Sequence, residues 1–367
     1  MRARGHGAAR RWAVVGALVV VLVSTPPLIG ALPASDAEVP AADLRRAVLA
    51  SADVGFSGYA ESAGGLLLPV TDQLTSIADL FSDRTEMRVW WRSPTDHRVD
   101  VITAAGETST HRDECGTWIW EYERATATRA ESTPFALPAP SDLLPASLGR
   151  RLLSEATDDE LSRIGARNVS GFNALGLRLV PDEAASSVGR VDVWVDPRSG
   201  LPLQVQVYEK GVDRPALDTR FLDFEVGRPS ADVTAFTPPP AARIREAREA
   251  EIVLEAGRRI DPVPLPAELA GLPRLQIEGV PSAIGLYGRG VTLLAVTPVP
   301  QRLARGLRNA MAQSLDAVRD AAGTRLAAGP VGLMLVEPPG RGSYVLTGTV
   351  TLDALATAGA QLPGGSS

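Results

Sequence analysis

The sequence predicts an α+β protein: a large antiparallel sheet with one apolar and one polar face, short helices against it, and a small α+β unit at the C-terminus. Three observations carry this. Segments in the first two thirds of the chain alternate apolar and polar residues with a period of two, the period at which strand side chains change face. Gly, Pro and Asp punctuate those segments as turn residues do. Four of the six tryptophans, Trp90, Trp91, Trp118 and Trp120, fall on two of them.

The chain opens with Arg2, Arg4, Arg10 and Arg11 and no acid before residue 12, followed by an apolar run over 12–23. A positive stretch before an apolar one predicts an export signal, with Ala34 or Ala37 near the cleavage point. Apolar character continues through 28–32, so the span also approaches the roughly 20 residues of a retained helical anchor. In either case the arginines hold that end inside and place the body outside the cytoplasm. Composition then divides the chain into this segment (1–37), a large sheet domain (38–240), a charged helix-compatible stretch with a Pro-rich linker (241–270) and a small domain (271–363).

Residues 41–49 read as a short helix with Leu44, Ala47 and Val48 on one side. In the strands that follow, Met87, Val89 and Trp91 share one face, and Glu86, Arg88 and Arg92 the other. Val99 and Val101 lie opposite Arg98 and Asp100, while Trp118 and Trp120 share a face that alternation alone does not orient. A partner strand near 125–131, a Pro-rich crossing over 134–145 and a helix over 146–155 come next. Strands are then expected at 174–180, 190–196, 201–208 and 217–226, with Asp196-Pro197-Arg198-Ser199-Gly200 as a reverse turn. The last domain reads as strands at 283–287, 291–296, 331–336 and 344–351, with helices at 301–318 and 352–362.

Composition narrows the function. A net charge of −6 argues against a protein that grips nucleic-acid phosphates. All but one of the 37 basic residues are arginine, Lys210 being the exception, which is the bias of a GC-rich genome. Cys115 is alone at a hairpin turn, so no internal disulfide or cysteine zinc site is available. His97 and His111 read as members of charged strand faces, and no metal or cofactor motif is present. Gly55-Phe56-Ser57-Gly58 is one residue short of a nucleophile elbow, and the run from Gly285 to Gly290 lacks the strand–loop–helix context of a phosphate loop. Asp158-Asp159-Glu160 lacks the spacing of a calcium loop and reads as charges at a helix start. Asn168-Val169-Ser170 is a glycosylation sequon, a pattern often met by chance. No catalytic set emerges, so the expectation is a protein that is not an enzyme.

The apolar face is then either a packed core beneath the helices at 41–49 and 146–155, or an apolar cavity with those helices as a lid over a lipid. Burying a methylene contributes about 0.8 kcal/mol, so a sixteen-carbon chain gains roughly 10 kcal/mol there. A bilayer offers a comparable gain, so such a pocket would exchange lipid with a membrane surface. The residues assigned to that face are Val89, Trp91, Val99, Val101, Leu177, Leu179, Val193 and Val205.

The succession of Phe-Ser-Gly-Tyr (56–59), Arg-Val-Trp-Trp-x-Ser-Pro (88–94), Arg-Val-Asp (98–100), Gly-Thr-Trp-Ile-Trp (116–120) and Val-Asp-Val-Trp-Val-Asp-Pro-x-Ser-Gly-Leu-Pro-Leu (191–203) resembles the LolA/RseB (MucB)-like superfamily. Within it, the sequence is similar to exported LolA-like proteins of GC-rich Gram-positive, actinobacterial type. The resemblance covers about 41–240 and rests on strands and turns, not on catalytic residues. It implies a sheet of about eleven strands curled into a half-barrel, with short helices capping the concave side. It also implies a non-enzymatic, extracytoplasmic lipid- or lipoprotein-binding carrier. The ending at 345–355 suits the small C-terminal unit of two-domain RseB-like members. That implies the alternative role: an envelope-stress sensor that binds a membrane-bound anti-sigma factor and regulates sigma-factor signalling.

Overall fold

The computed structural model describes residues 34–64, 84–130, 139–247, 265–277, 283–338 and 342–362. Two sheets organise them. The first contains β1 (Phe56–Ala63), β2 (Arg84–Ser93), β3 (Asp96–Thr103), β4 (Gly106–Asp113), β5 (Gly116–Glu121), β6 (Thr126–Ala130), β7 (Leu161–Val169), β8 (Phe172–Leu179), β9 (Val188–Val195), β10 (Pro202–Glu209), β11 (Pro215–Val226) and β12 (Arg243–Glu246). Their order is β12-β6-β5-β4-β3-β2-β1-β11-β10-β9-β8-β7. Every neighbouring pair is antiparallel except β12, which runs parallel to β6.

The sheet is strongly curved. Three strands separate β7 from β11, yet Ser170 at the β7–β8 turn donates to the Phe221 carbonyl and Phe172 packs edge-on to Phe224 at 5.3 Å. Helices α1 (Ala41–Ala50) and α2 (Pro145–Leu153) cover the concave face. Two glycines allow this close approach. Gly200, at φ +73°, closes the predicted turn, and a Cβ there would lie 2.5 Å from the Ala47 carbonyl of α1. Gly149 on α2 lies against β10, where a Cβ would come within 2.7 Å of Pro202.

The second sheet runs β13-β14-β15-β16-β20-β19-β18-β17, all antiparallel. Its strands are β13 (Glu268–Leu269), β14 (Leu272–Leu275), β15 (Gly285–Arg289), β16 (Thr292–Val299), β17 (Val318–Asp320), β18 (Gly323–Ala328), β19 (Val331–Val336) and β20 (Ser343–Gly348). Between β11 and β12 of the first sheet lies the one-turn α3 (Ala231–Thr234). Helices α4 (Gln301–Ala312) and α5 (Leu352–Gln361) pack on opposite faces of β19: Leu333 and Leu335 meet Leu307 and Met311, while Met334 and Val336 join Leu355 and Ala358. A strand covered on both faces reads as a continuous apolar run, which is what residues 331–336 present.

The α+β architecture is as expected, with twelve strands in the first sheet where about eleven were implied. Several elements differ. Residues 243–246 form an edge strand where the charged composition suggested helix; the rest of that stretch to 260 lies outside the described residues. The helix expected over 301–318 stops at Ala312, and Val318–Asp320 is a strand. β7 was not foreseen because a bulge between Arg163 and Ala166 breaks its alternation. Of the export segment expected over 1–37, residues 1–33 lie outside the described residues. No helix among the described residues is long and apolar enough to cross a membrane.

Candidate functional site: the face beneath the helices

Register decides which side chains share the concave face, because residues directly opposite on paired strands point the same way. One row runs Val89–Val99–Thr110–Ile119–Thr128 across β2 to β6. Another runs Leu177–Val193–Val205–Thr219 across β8 to β11. All eight residues assigned from sequence therefore lie on one face, in two groups.

Val89, Trp91 and Val99 are buried, with half-buried Val101 against them, in a cluster that includes Phe56, Met87, Phe221 and Phe224 and is covered by Leu143, Leu144 and Ala146. Leu177, Leu179, Val193 and Val205 are buried beneath Leu44 and Val48 of α1 and Leu153 of α2. Side chains fill both clusters. At the edge of the second, a cleft between Leu152, Ala156, Leu179 and Val291 has a cavity volume of about 0 Å³. That is below the roughly 300–1,000 Å³ of ordinary ligand pockets. An open hollow of about 380 Å³ lies beside residues 36–40 and Arg163, at the margin of the second cluster, against which Val39 packs. Seating an acyl chain on this face thus requires α1 or α2 to lift.

The opposite face carries the row Trp90–Arg98–His111–Trp118–Arg129. Arg98 lies 4.9 Å over Trp90 and Arg129 5.9 Å over Trp118. Trp118 and Trp120 accordingly point outward, which alternation had left open. The end of α3 and the chain after it strap this face: His111 donates from Nδ1 to the Thr234 carbonyl at 2.9 Å, and Phe236 packs against His111, Trp118 and Trp120.

His97 corrects a sequence expectation. It sits on the concave face, not a charged one, 3% exposed and stacked on Trp91 at 4.5 Å. Burial pushes its pKa down to about 4, although its hydrogen bond to the Ser93 carbonyl works the other way. His111 is also buried, and its pKa is lowered by desolvation. Ser57 pairs with Trp90 on the outer face, three strands and roughly 14 Å from His111, so the three residues do not assemble into a nucleophile and base. Among the described residues no group of His, Cys, Asp and Glu is placed to hold a metal.

Asp158–Glu160 form a 3-10 turn, as charges at a helix start suggest, but Glu160 is buried and does more than cap it. Arg289, at the β15–β16 hairpin of the second sheet, donates to both of its carboxylate oxygens, at 3.1 and 3.0 Å, and to the Glu155 carbonyl at 3.2 Å. Arg289 also pairs with Glu183 at 2.7 Å, and the Gly290 N–H donates to the Glu155 carboxylate. Burial alone would raise Glu160, but Arg289 and the Thr157 and Asp182 N–H groups outweigh it and hold the pKa at about 2. On the other side of α2, Arg45 of α1 donates to the Leu153 and Ser154 carbonyls, each at 2.9 Å. Two arginines from separate elements thus cap the carbonyl end of α2, where cations are favoured. Val291 completes the contact by joining the cluster of Leu153 and Ala156. A short bridge between Ser186 and Val350 joins the sheets as well.

No protein-family model matches the sequence. No curated protein matches it either. Solved structures share the fold. A chain of the Pseudomonas aeruginosa MucA/MucB complex aligns with a TM-score of 0.50 and 14% identity, over 89% of this chain and 99% of its own. MucB in complex with MucA(peri) aligns at 0.49, with 14% identity over 89% and 100%. A LolA superfamily protein from Nitrosomonas europaea aligns at 0.26, with 12% identity over 54% and 98%. At such identity the likeness to the first is one of fold, and the part of this chain left uncovered is shorter than the second sheet with its helices.

Proposed function

We propose that this protein is a non-enzymatic, extracytoplasmic binding protein of the RseB kind, in which α2 links the concave apolar face to a second domain that engages a membrane-bound anti-sigma factor. The observation that carries it is the grip of Arg289 on Glu155 and Glu160. A ligand that lifts α2 from the apolar face must also disturb the contact with the second sheet. The fold likeness to a chain of the MucA/MucB complex, extending over both sheets, supports the same reading. We divide the domains within residues 248–264, and we take the export segment to place the body outside the cytoplasmic membrane. The arginine-rich, lysine-poor composition supports an actinobacterial-type source.

The test is capture from the membrane fraction of the producing cells, using the full chain and its Arg289→Met variant. Recovery of an anti-sigma factor by the wild type, altered in the variant, is the expected result. Recovery of lipoproteins or lipid alone, unchanged in the variant, would sink the sensor reading and favour the second one, a lipid or lipoprotein carrier. That second reading is supported by the eight apolar residues gathered on one face under two helices.

A further inference from the structure

Helix α2 carries two buried polar atoms that nothing among the described residues satisfies. Nη1 of Arg150 and Oγ of Ser147 are shut off from solvent and have no hydrogen-bond partner among the described residues. Three residues apart, they lie on neighbouring turns of one helix side. The guanidinium of Arg150 sits 5.4 Å from the centre of the Trp91 ring, at the edge of the first apolar cluster. Burial lowers its pKa to about 10, opposed only by Asp53, which lies beyond ion-pair distance among the described residues. Arg98, Arg178 and Arg289, in contrast, each hold a carboxylate. A cation that is partly buried with no counter-charge at ion-pair distance carries a desolvation cost, and relieving that cost favours binding an anion.

We infer that Arg150 and Ser147 form an oxyanion site on the covered side of α2, taking a carboxylate or phosphate group, either free or as the head of an amphiphile. A guanidinium fork matches both groups, and the serine hydroxyl supplies one more donor. The inference rests on the reading that the face beneath α2 accepts ligands, since Nη1 is reached only when α2 lifts. It names the ligand chemistry that this face selects.

The test is calorimetric titration of the full chain with decyl phosphate, decanoate, decanol and inorganic phosphate. The two decyl anions should bind at least about tenfold more tightly than decanol, the scale of one charge-assisted hydrogen bond. Arg150→Met should abolish that preference and leave decanol binding unchanged; Ser147→Ala should reduce it several-fold. Binding of decyl phosphate without inorganic phosphate identifies a lipid head group. Equal binding of the two identifies a free oxyanion, and both results support the site. Arg150→Met removes no hydrogen bond seen among the described residues of the ligand-free protein, so its melting point checks that it folds. Equal binding of decanol and decanoate, or a preference that survives in Arg150→Met, overturns the oxyanion site while leaving the apolar face a ligand site. Failure of all four compounds to bind overturns both.

Discussion

Arg289 and Glu160 join the two sheets through paired hydrogen bonds, with Glu160 buried and Arg289 about one-third exposed. Neither residue belongs to the apolar face, yet both sit at the end of the helix that covers it. The contacts that dock the second domain therefore also hold the end of α2.

Arg289→Met should loosen that docking. Breaking a buried pair costs several kcal/mol, and the partial exposure of Arg289 reduces this to about 1–3 kcal/mol. Hydrogen exchange should rise at Val291 and in 153–160, with the interior of the first sheet unchanged. Unaltered exchange at Val291 would mean that the hairpin is held by other contacts.

The same pair sets an acid limit. Glu160 has a folded pKa of about 2, below its ordinary value of 4.5, so its contribution is complete above about pH 4.5 and fades as the pH falls toward 2. Melting points measured between pH 5 and 2 should fall less steeply for Glu160→Gln than for the wild type. Parallel profiles would count against the assignment.

His97 acts in a different window. It is neutral when folded and has a pKa near 4, whereas the unfolded imidazole titrates near 6.5. Protons therefore bind the unfolded chain preferentially, and stability is full above pH 6.5 and declines as the pH drops toward 4. The shift corresponds to about 3 kcal/mol. His97→Gln should flatten this decline in a urea-denaturation series, leaving the smaller contribution of His111, whose pKa shifts in the same direction.

Val99→Asp distinguishes a filled face from an open one. Val99 is fully buried, opposite Val89 and Thr110. An unpaired carboxylate there should cost several kcal/mol, a large share of a domain's stability. A collapsed melting point is expected. A variant that melts like the wild type would indicate space or water at Val99 that the packed cluster does not provide.

Phe236→Ala should free the outer strap. With its contacts to Trp118 and Trp120 lost, tryptophan emission should shift to the red and exchange should rise in the adjoining β12. The expected loss of stability is about 1–3 kcal/mol, because Phe236 is only half-buried. Unchanged emission would show that the strap is seated by Thr234 alone.

Sequence alternation by itself determined most strands of the first sheet and the common face of Val89, Trp91, Val99, Val101, Leu177, Leu179, Val193 and Val205. A period of two is local, so it is legible wherever one face is apolar. The Asp196–Gly200 turn was legible for the same reason, since proline and glycine act through their own backbones. Alternation gave no sign of β7, where a bulge resets the period, or of β12, whose Arg-Ile-Arg-Glu pattern is exposed and strand-like only because β6 lies beside it. Tertiary structure alone decided that Trp118 and Trp120 face outward, that His97 lies against Trp91, that Glu160 meets Arg289 across 129 residues of chain, and that Nη1 of Arg150 is buried without a partner among the described residues. Local pattern specifies which residues share a face; the curvature and register of the closed fold specify what each face meets, and charges removed from water respond to that second arrangement.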